Sequence, residues 1–291
     1  MKYRKSVKIL VFLIIVGAIV ATSNGIYSNQ GQEPYKYKSI FGETVSIYGK
    51  GLYKHDSVSM ASQAIAQDYV TLFLGIPLLL LSLYLSRKGQ LKGRLLLTGT
   101  LGYFLYTYIT YSFLSMYNPL FLLFVALMSA SFFAFTLTMM SFDIPKLPMF
   151  FDRQLPVKFI GGFLLFTSFM FGMMWVGKIA PSLINNSAPD GIDHYTTLVI
   201  QALDLGVVIP VGFLAGILLI KRKPFGYLLA SIITIKEITL LTALSAMNYL
   251  QIQAGIQVSF GMLAIVFFIN VVVIYCMILI LKNINEKRTV R

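Results

Sequence analysis

Three observations predict an all-α protein that crosses a membrane repeatedly. Of 291 residues, 57% are apolar and only 12% charged, about half the roughly 25% charge of a soluble domain. The mean hydropathy of +0.77 leaves too little charge and amide to cover a water-soluble surface. The apolar residues fall in eight stretches of about the length that spans a roughly 30 Å hydrocarbon layer as helix, without the alternation of barrel strands.

Backbone in lipid must satisfy its hydrogen bonds internally, so each stretch is read as a helix. Their limits are residues 7–26, 68–86, 95–114, 119–141, 158–177, 197–220, 226–248 and 257–281. The first has a basic start and the small residues Ala21, Thr22 and Ser23 after its apolar core, features shared with a secretory signal, whose cleavage would leave seven spans. The eight-span reading is preferred because the charge pattern already fits it. Residues 27–67 then form an extracytoplasmic loop or cap, with a short strand over 44–48 and a turn at Tyr48-Gly49-Lys50-Gly51. It either covers the external mouth or packs on helix ends.

The third span carries Tyr103, Tyr106, Tyr108 and Tyr111, read as interface anchors and interhelical hydrogen-bonding groups. Trp175, the sole tryptophan, is read as part of an outer interface belt. Cys276 is the single cysteine, which excludes an intramolecular disulfide framework and cannot alone form a thiolate metal site.

Net charge is +13, from 24 Lys and Arg against 11 Asp and Glu. Zinc-finger spacing, glycine-aromatic RNA motifs and long basic helices are absent from the sequence, so the charge does not point to a nucleic-acid partner. It falls instead in clusters at every second connection. These are Lys2, Arg4, Lys5 and Lys8; Arg87, Lys88, Lys92 and Arg94; Lys146, Arg153 and Lys158; Lys221, Arg222 and Lys223; and Lys282, Lys287, Arg288 and Arg291. Such a bias places both termini in the cytoplasm.

Two segments share an order of features. YKHDSVSMASQAIAQDYVTLFLGIPLLLLSLYLSRKG contains His55, Asp68 and Pro77, and DHYTTLVIQALDLGVVIPVGFLAGILLIKRKPFG contains His194, Asp204 and Pro210; each ends in a basic turn. Beyond the turns, GRLLLTGTLGYF from Gly93 runs beside GYLLASIITIKE from Gly226, placing Tyr103 and Phe104 at the offsets of Lys236 and Glu237. The pattern suggests a single membrane domain of two parallel four-helix repeats, residues 1–141 and 142–291, related by an axis along the membrane normal. Prolines in spans two and six could kink them.

Polar residues inside the spans are the candidate site. Lys236 lies about 15 Å along its helix from residue 226, near mid-membrane, where a charge facing lipid costs several kcal/mol. Adjacent side chains diverge by about 100°, so Lys236 and Glu237 are not expected to neutralise each other. Glu237 could relay a proton or hold a cation with Lys236 as its tuning charge, or both could belong to a buried polar network. Asp204, with Gln201 one turn away, and Asp68, with Gln63 and Gln67, could line an outward-facing vestibule; helix capping is favoured for Asp68. His55 with Asp56 and His194 with Asp193 are weak metal or general-base candidates, against a bland reading as polar loop contacts.

The segments GLYKHDSVSMASQAIAQDYVTL and LDLGVVIP, the latter followed by the basic turn, resemble uncharacterised bacterial multi-pass membrane proteins. The resemblance implies a bacterial cytoplasmic membrane location and brings no activity or cofactor. The leading expectation is transport or sensing of a small solute or cation through a polar cavity between the halves. A membrane enzyme using the outer His and Asp groups, and a structural or assembly protein of the envelope, are the alternatives. A lipid bilayer and a further membrane-protein subunit are the expected partners; no glycine-rich phosphate loop ending in Lys-Ser or Lys-Thr is present for ATP.

Overall fold

Helix α1 (Arg4–Tyr27) opens the computed structural model, which describes residues 3–286. It is followed by α2 (Val58–Arg87), α3 (Leu91–Phe113), α4 (Phe121–Met139), α5 (Val157–Asn185), α6 (Val199–Ile220), α7 (Pro224–Gln253) and α8 (Phe260–Lys282). The protein is nearly all-α. Seven of these helices, all but α3, are long and apolar enough to cross a membrane. α3 has 23 residues, but threonine, glycine and tyrosine lower its hydropathy. Those residues face protein, because α3 packs against α2, α4 and α7. The outer faces of the other helices carry large exposed apolar groups such as Leu122 (76%) and Phe268 (66%), a surface that only an apolar surrounding would tolerate.

The eight helices run alternately between two ends. At one end the Arg4 guanidinium donates to the Arg87 carbonyl, Arg222 to the Arg153 carbonyl and Arg94 to the Ser141 carbonyl. The Glu286 carboxylate accepts from the backbone N–H groups of Leu91 and Lys92, each at 2.9 Å, and so caps α3. The described basic clusters therefore share one end; Lys2, Lys287, Arg288 and Arg291 lie outside the described residues. At the far end strands β1 (Tyr35–Lys38) and β2 (Thr44–Ile47) form an antiparallel hairpin, and β2 occupies the expected strand. Tyr37 of this hairpin meets the His194 ring edge-on at 5.9 Å.

α2 begins earlier than its apolar run. Ser57 caps it by accepting from Met60 N–H, and the polar first turns are buried against protein. Asp68 is therefore well inside the helix and is not a cap, contrary to the sequence expectation.

Neither α2 nor α6 is kinked simply by proline. Each contains a five-residue π turn, Thr71–Gly75 and Asp204–Val208, immediately before Ile-Pro. Proline lacks an N–H and crowds the carbonyl four residues back; the wider turn upstream takes up that misfit. Its defining bonds run from Ile76 N–H to the Thr71 carbonyl and from Ile209 N–H to the Asp204 carbonyl. α5 and α6 meet at small residues: a Cβ on Gly161 would lie 2.8 Å from the Gly216 carbonyl oxygen, and one on Gly216 2.7 Å from that of Gly161.

Candidate functional site

Helices α2 and α3 both pack on α7, whereas α3 and α6 touch only slightly and the backbones of α5 and α8 do not close on each other. This leaves a cavity of about 710 Å³, inside the range of about 300–1,000 Å³ found for small-molecule sites. It is lined from α2, α3, α5, α6, α7 and α8, reaching from Asp56 and Met247 near the hairpin end to Gly212 and Val273 deeper in. The wall is mostly apolar, rich in Phe, Met, Leu and Ile. A polar cavity was expected, whereas the polar part of the wall is the smaller one.

Asp204 is the centre of that polar part. The Tyr106 hydroxyl donates to its Oδ1 and the Trp175 indole N–H to its Oδ2, each at 2.9 Å. Three helices, α3, α5 and α6, thus converge on one carboxylate, and both donors are neutral. Tyr106 also presents its ring to Lys236, whose Nζ is 4.4 Å from the centroid. Lys236 in turn pairs with Glu237 at 3.0 Å. Adjacency does not keep these two apart as expected: the long, flexible Lys236 side chain brings its ammonium to Glu237 Oε1 as well as to the Tyr106 ring. Glu237 and Asp204 line the cavity; Lys236, only 6% exposed, stands behind it.

The remaining candidates separate. Gln67 lines the cavity and donates to the hydroxyls of Tyr103 (2.7 Å) and Thr107 (2.9 Å). Gln201 is not part of the wall, which takes Ile200, Asp204, Val208, Ile209 and Gly212 from its helix. Asp68 is buried outside the cavity and accepts from the hydroxyls of Tyr53 (2.6 Å) and Tyr111 (3.0 Å). The tyrosines of α3 therefore act inside the bundle, Tyr103, Tyr106 and Tyr111 as interhelical partners. Trp175 likewise holds Asp204 rather than serving merely as a belt residue.

At the cavity mouth, Asp56 accepts from the Tyr195 hydroxyl (2.8 Å) and from Met116 N–H (3.0 Å), tying the loops before α2, α4 and α6 together. His194 meets His55 only through its carbonyl, at 2.9 Å, and Asp193 turns the chain with a positive φ of 54°. Among the described residues no group of three or more His, Cys, Asp or Glu is placed to hold a metal ion. The geometry does not assemble His55, His194, Asp56 and Asp193 into one.

Burial pushes the Asp56 carboxyl up from 3.8 to about 6, although its bonds from Met116 and Tyr195 pull the other way. Burial and the neighbouring carboxylate raise the Tyr195 phenol well above its usual range. The folded chain thus holds a proton on Asp56 that the unfolded chain releases near pH 4. By linkage, stability from this group is greatest below about pH 4 and falls as pH rises through about 6, by at most about 3 kcal/mol. Thermal midpoints between pH 4 and 7 should drop further for the parent than for Asp56→Asn; superimposable profiles would refute this.

Sequence reading did not identify Trp175 and Tyr106 as partners of Asp204, or Tyr53 as a partner of Asp68, since these contacts join distant segments. Thr234 was also missed, although it lies three residues before Glu237 on the same helix face. The chain matches no protein-family model, no curated protein and no solved structure in the comparisons made.

Proposed function

We propose that this is an eight-span protein of a bacterial cytoplasmic membrane, with both termini in the cytoplasm, that binds a small solute in the outward-facing cavity and transports it. α3 serves as the eighth span, shielded by its neighbours. The single observation that carries the solute reading is the cavity itself: an apolar chamber within a helical bundle, with three carboxylates on its wall. Sensing would use the same chamber.

A parallel duplication supports the transport reading, because solute sites commonly lie between repeats. Thr71 and Asp204 open the two π turns, and Pro77 with Pro210, Gly93 with Gly226 and Tyr103 with Lys236 follow at one constant separation along the chain. The glycines share a contact as well: a Cβ on Gly93 would overlap backbone at Leu85 and Ser86, and one on Gly226 would overlap Leu218 and Leu219. In this register Asp204 corresponds to Thr71 and Asp68 to Gln201, so the two aspartates are not equivalents. The first half has a neutral hydrogen bond, Thr71 to Tyr103 at 2.8 Å, where the second half has charged residues at both positions.

Thiol labelling tests the orientation and the chamber. With Cys276 replaced by alanine, single cysteines at Thr110 and Thr167 on the cavity wall should react with a membrane-impermeant maleimide added to intact cells. A cysteine at Ser141, beside Arg94 at the basic end, should react only after permeabilisation. Protection of both cavity positions in intact cells would overturn the outward-facing chamber.

A further inference from the structure

We propose that the chamber's ligand is a lipophilic organic cation, an inference that rests on the solute-binding reading above. The wall contains the carboxylates of Asp56, Asp204 and Glu237 and no Lys, Arg or His among the described residues, although the chain as a whole carries a net charge of +13. Two lysines come near from outside the wall. Lys236 is paired with Glu237, and Lys178 lies over the Trp175 ring at 5.9 Å. Lys236 therefore offsets one deep carboxylate and leaves Asp204 held only by neutral donors.

An ionised carboxylate within the bundle needs a cation or a proton. The chamber around Asp204 suits a cation with a bulky apolar body: aromatic groups of Trp175 and Tyr106 stand beside the carboxylate, and the apolar wall removes the body from water. Thr234 lines the cavity, is 1% exposed, and its Oγ1 has no hydrogen-bond partner, whereas Ser231 one turn earlier bonds to the carbonyl four residues back. A buried hydroxyl left without a partner costs about 1–3 kcal/mol, so the Thr234 hydroxyl is a local cost to the fold.

Toward the basic end α5 and α8 are joined by side chains, the Phe159 and Tyr275 rings being 6.0 Å apart. Between them Phe163, Met170 and Phe171 of α5 and Ile269 and Val273 of α8 form an apolar side of the wall, where the body of a lipophilic cation would be removed from water.

Trp175 supplies the readout, as it is the only tryptophan and bonds to the carboxylate in question. Purified protein in detergent would be titrated with tetraphenylphosphonium and, separately, with tetraphenylborate, which has nearly the same shape and the opposite charge. Saturable change in Trp175 emission with the cation, at least about tenfold weaker with the anion, is expected from one unneutralised charge at low effective dielectric. Asp204→Asn, which keeps an acceptor for Tyr106 or Trp175, should weaken cation binding at least about tenfold. Glu237→Gln, which leaves Lys236 unopposed, should do the same and guards against a folding defect peculiar to position 204. Equal saturable binding of both ions would overturn the cationic class and leave the solute chamber standing. No saturable binding of the cation would also overturn it, while the thiol labelling separately decides whether the chamber exists. Thr234→Val should leave the empty protein at least as stable as its parent; marked destabilisation would refute the unfilled-partner argument.

Discussion

Gly25→Ala should cost the protein about 3 kcal/mol or more, the largest effect of any single methyl group considered. Gly25 lies on α1 directly over the Asp68 carboxylate. A Cβ there would overlap Asp68 Oδ2, and would lie 2.9 Å from its Cγ and 3.0 Å from the Tyr53 hydroxyl. The carboxylate cannot withdraw cheaply, because Tyr53 and Tyr111 hold its two oxygens from different segments. Overpacking costs about 1–3 kcal/mol, and each buried polar group left without its bond about 1–3 kcal/mol. Gly162→Ala is the internal control: it is also helical, but nothing lies within 4 Å of its added Cβ. That variant should match or slightly exceed the parent, since alanine favours helix over glycine. Thermal midpoints in one detergent would compare them, and equal midpoints for the two variants would sink the argument.

Lys236→Met should destabilise the protein by about 3 kcal/mol, because it leaves the Glu237 carboxylate inside the bundle without its cation. The figure sits at the low end of the range for broken buried pairs, since the Glu237 side chain keeps 19% exposure toward the cavity. Loss of the Lys236 contact with the Tyr106 ring adds to it. Adding Glu237→Leu should recover much of the loss, with a coupling energy of about 1–3 kcal/mol between the two positions. Additive effects would mean that the pair is not an interacting unit. The same series separates stability from binding. Lys236→Met alone should tighten tetraphenylphosphonium, the double variant should bind it much as the parent does, and Glu237→Gln alone should bind it weakly. Affinity would then follow the net charge beside Asp204 rather than the melting order of the variants.

Residues differ in how much of this could be read in advance. Asp204, Lys236 and Glu237 stood out because charges are costly within an apolar run. Asp68 looked like a cap only because its apolar run begins there; the preceding Ser57-to-Gln67 stretch is polar for burial against protein, and hydropathy cannot tell polar residues facing protein from polar residues facing water. The π turns were hidden for a related reason. Pro77 and Pro210 announce a disturbance in the helix, but whether it becomes a kink or a wider turn depends on the helices packed beside it.

Hydrophobic length and charge distribution determined by themselves that the protein is a nearly all-α membrane bundle, because each segment is solvated by lipid or water independently of its partners. The seating of Lys236 against the Tyr106 ring, the convergence of Tyr106 and Trp175 on Asp204, and the uneven packing that opens the chamber were decided only by tertiary structure. These depend on which helix stands beside which, and on side-chain bonds between α3, α5 and α6 that no local period encodes.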